Sequence, residues 1–257
     1  MTSRMELRHL QRPGAGPLKL RKADLAYHAI KREIMLGMLA PETQLGEQTV
    51  ALEFGCSQAT VREALMRLQD DGLVTRRGYR GTVVSTTRSD EAIHMVDIRL
   101  YVETNAVRRL AEDANRVDRA ALHEIVGDMG RARDAGDAYA CSELDRDFHA
   151  NLLEASALHG LVPVLRRCAL HMHRYTVNAR PEFFRDSRID LQHEAILAAI
   201  GSGDPDGAET AVRDHILGVL GRWAPALVAR LRGPGKLALI PCETGSDECP
   251  ASSRLRR

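Results

Sequence analysis

Gly55-Cys56-Ser57-Gln58-Ala59-Thr60-Val61-Arg62-Glu63-Ala64-Leu65, continued by Met66-Arg67-Leu68-Gln69-Asp70-Asp71-Gly72, decides the fold of the first third of this chain. Gly55 permits a tight turn, Ser57 is a helix N-cap residue, and Gly72 stops the helix between them. Val61, Ala64, Leu65 and Leu68 fall on one face of that helix. Upstream, residues 47–54 predict a short helix with Val50, Ala51 and Phe54 inward. Residues 24–38 predict another, capped by Asp24, with Ala26, Ile30 and Ile34 inward and Gly37 and Pro41 closing it. Downstream, Leu73-Val74-Thr75 and Thr82-Val83-Val84 are β runs on either side of the basic hairpin Arg76-Arg77-Gly78-Tyr79-Arg80-Gly81. Helix, short helix, glycine turn, capped helix and basic hairpin, in that order, predict a winged helix-turn-helix.

Such a unit suits double-stranded DNA. A major groove about 12 Å wide admits a helix whose N-terminal end is presented by a tight turn. Here that end carries Ser57, Gln58, Thr60 and Arg62, which can donate to base edges, and free backbone N–H groups that favour a phosphate. Arg76, Arg77 and Arg80 add charge from the hairpin, and Gly78 and Gly81 let its backbone approach a duplex. Ser57 also serves as a cap whatever else it does, and Arg62 and the hairpin arginines also fit a solvated surface.

The remainder has a different texture. Between residues 89 and 232 six helices are expected, near 89–114, 118–135, 137–155, 158–179, 186–201 and 205–231, broken at Asp118, Gly136, Ser156, Pro181 and Gly201-Ser202-Gly203. The fold class is therefore mainly α, a winged helix-turn-helix followed by an all-α bundle. The expected organisation is a flexible arm over 1–18, a DNA-binding domain over 19–87, a helical domain over 88–232 for effector binding and dimerisation, and a disordered tail over 233–257. Charge follows the division: residues 1–88 hold 14 Lys/Arg against 9 Asp/Glu, and residues 89–232 hold 18 against 23. A basic third joined to an acidic remainder fits contact with a polyanion by the first part alone. No apolar run reaches the roughly 18–20 residues of a membrane span, and no signal peptide opens the chain. The five cysteines (Cys56, Cys141, Cys168, Cys242 and Cys249) lack metal-type spacing and read as free thiols of a cytoplasmic protein.

Within the helical half, Asp145 and His149 are four residues apart on one helix, which puts their Cβ atoms about 5–6 Å apart on one face. His193 and His215 lie on two later helices joined by Gly201-Ser202-Gly203-Asp204-Pro205, a turn short enough to make them antiparallel. An aspartate and three histidines suit Zn²⁺ or Ni²⁺. Each histidine also fits a core position, because apolar residues follow it at helical spacing. His171 and His173 are two positions apart, about 200° around a helix, so both cannot reach one ion. Arg99 has two readings. Its fork suits a ligand carboxylate, or it forms an i,i+4 pair with Glu103. Arg174, Asn178 and Arg180 either line a cavity or lie on the surface.

Leu45-Gly46-Glu47-Gln48, the run from Gly55 to Leu65, Leu68 through Asp71-Gly72-Leu73-Val74, and Arg80-Gly81-Thr82-Val83-Val84 together resemble the signature of the GntR family of bacterial repressors. The resemblance implies DNA contacts at Gln48, Gln58, Thr60, Arg62 and the wing from Arg77 to Gly81. Gln48 and Gln58 stand where arginine is frequent in the family, which removes a phosphate or guanine contact and leaves the operator open. Arg99-x3-Glu103, Asp145-x3-His149, Gln192-His193-Glu194-Ala195-Ile196, the passage 199–208 and Arg213-Asp214-His215 resemble the helical FCD effector domain of the FadR branch, over roughly 90–230. Six helices are similar to its VanR-like subgroup. This second resemblance implies that Asp145, His149, His193 and His215 hold a metal. It also implies that a small organic acid binds near it, with Arg99, Glu103 and Asn178 as candidate contacts. A homodimer would then read a pseudo-palindromic operator. Two alternatives stand beside this: a metal-dependent enzyme built on the bundle, and a regulator whose metal is purely structural.

Overall fold

The computed structural model describes residues 21–179, 189–223, 225, 228 and 229. The expected arm over 1–18 and tail over 233–257 lie outside the described residues, as do Arg180, Pro181, Cys242 and Cys249. The head opens with α1 (Lys22–Met35), β1 (Gln44–Leu45), α2 (Glu47–Phe54) and α3 (Gln58–Asp70). It closes with β2 (Val74–Arg76) and β3 (Thr82–Val84), joined by a single 3-10 turn at Gly78–Arg80. Ile30, Ile34, Val50, Val61, Leu65 and Leu68 form its core on the faces that the helical spacing predicts, together with Leu73 and Val84 from the β runs. Ser57 caps α3, its Oγ accepting from the Thr60 N–H at 3.1 Å.

Two details differ from the sequence reading. Asp24 is not the cap of α1; the helix starts two residues earlier, and Asp24 is its third residue, accepting from the Arg21 N–H at 3.2 Å. Its other oxygen takes Arg67 Nη1 of α3 at 2.6 Å, so a long-range ion pair helps to fix its place. The second difference is β1, which is absent from the sequence reading. Two residues are too short to show alternation; the strand exists because Gln44 and Leu45 pair antiparallel with Val83 and Thr82. The wing is thus a three-stranded sheet in the order β1-β3-β2. Gln44 Nε2 also donates to the Arg80 carbonyl at 2.9 Å, tying the wing tip to β1.

The described part of the second domain holds six α-helices: α4 (Ser89–Glu112), α5 (Arg119–Asp134), α6 (Ala138–Ala155), α7 (Val162–Ala179), α8 (Ile189–Gly201) and α9 (Pro205–Trp223). Asp118 and Asp137 cap α5 and α6 through their side chains. A 3-10 turn at His159–Leu161 precedes α7, which begins later than the expected 158. The bundle core runs from Ala92 and Val96 of α4 through Phe148 and Leu152 of α6 to Ile196 and Ile200 of α8 and Val212 and Ile216 of α9.

Head and bundle meet along α7. Leu170 of α7 packs in the head's core, while Met172 two residues on packs in the bundle's core. Next to them a polar seam crosses the joint. His171 Nε2 lies 3.2 Å from the Asp71 carbonyl and its Nδ1 3.3 Å from Thr87 Oγ1. Buried Arg174 donates to Ser85 through both its hydroxyl, at 3.1 Å, and its carbonyl. Lys31 of α1 pairs with Glu143 of α6 at 3.3 Å.

Gly72 makes this approach possible. Its φ of +77° is left-handed, and a Cβ there would stand 2.8 Å from both Arg167 Nη2 and His171 Nε2. Gly136 shares the conformation (φ +69°) but has nothing within 4 Å. Gly136→Ala therefore carries only backbone strain, about 1 kcal/mol, whereas Gly72→Ala adds displacement of the seam and costs about 2–3 kcal/mol. Urea denaturation of the two variants checks the difference; equal losses would mean that the seam is not tightly packed.

Candidate functional site

Asp145, His149, His193 and His215 converge in the bundle. One ligand-type atom from each lies within 4.8 Å of the others. Asp145 Oδ1 is 3.2 Å from His193 Nε2, 3.6 Å from His215 Nε2 and 3.7 Å from His149 Nε2. The Nε2 atoms of His149 and His215 are 3.1 Å apart. Three helices build this. The i,i+4 step on α6 supplies Asp145 and His149, and antiparallel α8 and α9 bring His193 and His215 to the same level. The three imidazoles are buried, and Asp145 keeps a 19% exposed side chain.

The protons of two rings are placed by groups outside the cluster. Gln192 Oε1 sits 3.2 Å from His215 Nδ1, so that ring carries its proton on Nδ1 and turns a lone pair inward. Glu103 Oε2 lies 2.6 Å from His149 Nδ1, close but out of line for a straight hydrogen bond, and has the same effect. Burial pushes His215 down to about 3, so the imidazole is neutral at ordinary pH. Burial also works against ionised Asp145, but the neighbouring imidazoles, His193 foremost, outweigh it and hold the carboxyl well below its usual range. The cluster is thus a buried carboxylate and inward-facing imidazole nitrogens with no cation among the described side chains that touch it.

Of the two sequence readings of Arg99, the structure shows the ion pair with Glu103. Arg99 is buried and donates from Nε to Glu103 Oε1 at 2.7 Å, the i,i+4 pair. Its Nη2 is buried without a hydrogen-bond partner. Glu103, a candidate effector contact from the sequence, is engaged on both oxygens, by Arg99 and His149. Burial raises its carboxyl, but Arg99 and His149 outweigh this and bring it to about 2. Asn178 lies on α7, but its side chain is outside the described residues. His171 faces the head, away from any shared ion with His173. His123 and His159 pair with Glu194 and Glu154. Glu194, the acid beside His193, faces away from the cluster.

On the head, Gln48, Ser57, Gln58, Arg62, Arg77, Arg80 and Gly81 are exposed and Thr60 is half-buried. Sequence reasoning missed the carboxylates that hold the basic side chains. Glu47 takes Arg62 at 2.6 Å and Arg76 at 3.5 Å, and Glu42 takes Arg77 at 2.7 Å. Glu47 lies 15 residues from Arg62 and Glu42 35 from Arg77, so neither pairing has a local signal. Cys56, Cys141 and Cys168 are free thiols, as expected. Among the described residues no helix is long and apolar enough to cross a membrane.

Comparison with known proteins fits this two-part build. Residues 22–84 match the family of bacterial regulatory proteins of the gntR type, and residues 94–218 match the FCD domain. The chain belongs to the GntR family and carries an FCD domain behind its helix-turn-helix; it is a transcription regulator. Among curated relatives, the HTH-type transcriptional repressor RspR of Escherichia coli K12 is 24% identical over 193 residues, covering 74% of this chain and 83% of that one. The HTH-type transcriptional repressor NanR of Klebsiella aerogenes is 25% identical over 233 residues, covering 80% and 87%. Among solved structures, E. coli McbR/YncC aligns with a TM-score of 0.63 at 20% identity, over 83% of this chain and all of that one. This last likeness establishes the fold alone.

The cluster makes metal-free stability pH-dependent. His215 titrates at its ordinary value of 6.5 when unfolded and at about 3 when folded. Between these values the unfolded chain binds more protons, so stability is complete above pH 6.5 and falls as pH drops towards 3. Glu103, at about 2 instead of 4.5, adds loss in the same direction below about pH 4.5. Urea midpoints in EDTA should therefore decline from pH 7 to 4, and His215→Gln should flatten that limb. An unchanged slope in the variant would contradict the arrangement.

Proposed function

We propose that this chain represses transcription as a homodimer. Its two winged helices read the halves of a pseudo-palindromic operator, and its DNA binding is controlled by a small carboxylate held beside a divalent cation. The observation that carries this is the inward convergence of Asp145 Oδ1 and imidazole nitrogens, with the protons of His149 and His215 held outward. The Nε2 atoms of His149 and His215, 3.1 Å apart, share one proton or take a cation between them. The separations of Asp145 Oδ1 from the three Nε2 atoms and of His149 Nε2 from His215 Nε2, 3.1–3.7 Å, match edges around an ion with bonds of about 2.0–2.2 Å. The donor set of three nitrogens and one oxygen suits Zn²⁺ or Ni²⁺. Bound there, a divalent cation supplies a fixed positive charge that a ligand carboxylate can meet. Arg99 Nη2, buried and without a hydrogen-bond partner, supplies the directional donor for the same carboxylate.

The bundle contacts suggest how such a ligand reaches the DNA. α6 carries Asp145 and His149 towards the cation and, two residues before Asp145 and on another face, Glu143 towards Lys31 of the head. A small shift of α6 on ligand binding displaces that pair and the α7 seam beside it. On the head, Gln58, Thr60 and Arg62 at the start of α3 read bases, Gln48 of α2 and Ser57 support them, and Arg77, Arg80 and Gly81 on the wing meet the backbone or minor groove. Four protein ligands also suit a closed, purely structural site, which is the second reading. An enzyme is disfavoured because Glu194 pairs with His123 instead of facing the cluster.

Fluorescence anisotropy of the zinc-loaded protein on its promoter DNA, titrated with organic acids, separates the two readings. Control by a carboxylate predicts a 5- to 150-fold loss of DNA affinity with metal content unchanged, the usual range for coupled sites. DNA binding that no acid alters favours the structural metal. On the DNA side, Arg62→Ala should cost about 1–3 kcal/mol of specific binding, while Arg77→Ala should lower the salt slope by about 1 without changing sequence preference.

A further inference from the structure

Among the described residues Glu103 is the most enclosed carboxylate of the bundle, 1% exposed. Its two oxygens face different machinery. Oε1 accepts from Arg99 Nε at 2.7 Å, and Oε2 lies 2.6 Å from His149 Nδ1. We propose that Glu103 is a positioning residue that serves both sites at once, orienting His149 as an Nε2 donor to the cation and holding Arg99 so that its Nη2 remains available to a carboxylate. The inference rests on the reading of the cluster as a cation site.

The chemistry follows from the arrangement. A neutral imidazole has one proton, and whichever nitrogen carries it cannot bind a metal. An anion at Nδ1 keeps the proton there and makes Nε2 more basic. Outer partners of this kind are worth about 10- to 100-fold in metal affinity. Gln192 does the same for His215 with a neutral amide, and Glu103 does it for His149 with a full charge. On its other side, Glu103 engages only Nε of Arg99. The guanidinium is thereby fixed in direction and partly neutralised, yet keeps an Nη2 that is buried and has no hydrogen-bond partner. A ligand could not take both oxygens of Glu103 without displacing Arg99 and His149. Glu103 is therefore a support for the effector site, not one of its contacts.

The test compares Zn²⁺ affinity, measured by competition with a chromophoric chelator, in three full-length proteins. Glu103→Gln alone leaves Arg99 buried and uncompensated and can fail to fold. The informative pair is therefore Arg99→Lys, which keeps a cation beside Glu103 and so keeps Glu103 ionised on His149, and Arg99→Met with Glu103→Gln, which removes both charges together. Arg99→Lys should bind Zn²⁺ within about threefold of wild type, and the double variant should bind it 10- to 100-fold more weakly. The ¹⁵N shifts of the His149 ring in the metal-free proteins give a second readout, with the proton fixed on Nδ1 in Arg99→Lys and shared between the nitrogens in the double variant. Equal Zn²⁺ affinity and equal ring shifts in the two variants would overturn the positioning role while leaving the cation site intact. A wild-type protein that binds no Zn²⁺ would overturn the cation reading and this inference with it.

Discussion

An ionised group that leaves water loses several kcal/mol of hydration unless other groups replace it. The helical domain buries Glu103 completely and Asp145 largely, next to Arg99 and three imidazoles. Each of these side chains comes from a backbone that must hold it within reach of its partner. Arg99 and Glu103 fix α4, Asp145 and His149 fix α6, and His193 and His215 fix α8 and α9. An apolar core tolerates sliding of one helix past another so long as volume is filled. A buried polar cluster does not, because a slip of one turn strands a charge. The register of four helices thus rests on one set of electrostatic contacts, and the same set defines the candidate site.

The head depends on that register through two helices. α6 turns its ligand face to the cluster and Glu143 to Lys31 of α1. α7 contributes to both cores and lines the seam with His171 and Arg174. The seam is polar and close, and it is shaped by a glycine whose Cβ would crowd Arg167 and His171. A joint of this kind transmits displacement, because its groups have no spare room in which to absorb it. A change of helix position at the cluster therefore has a short, packed route to the DNA-binding end.

Much of this was legible in the sequence, for local reasons. The winged helix was readable because each of its steps is coded within a few residues: the glycine at 55, the cap at Ser57, the apolar face through Leu68 and the stop at Gly72. Asp145 with His149 was readable from i,i+4 spacing, and His193 with His215 from the short turn between their helices. What escaped was set by contacts between distant positions. Asp24 looks like a cap locally, but Arg67 of α3 takes one of its oxygens. β1 is a strand only because β3 lies beside it. Glu103 reads as a simple partner of Arg99 because nothing in the sequence places His149, 46 positions later, against its other oxygen. Glu42 and Glu47 beside the head's arginines are invisible for the same reason.

The central claim is that the convergent aspartate and histidines are a cation site around which the regulatory domain is organised. The most direct measurement is an anomalous difference map, recorded at the zinc edge, from crystals of the full-length protein grown with Zn²⁺. The account predicts one strong peak per protomer, bonded by Asp145 Oδ1 and by Nε2 of His149, His193 and His215, with Glu103 still against His149 Nδ1. A map with no peak among these four side chains, or with bonding through Nδ1 of His149, would contradict it.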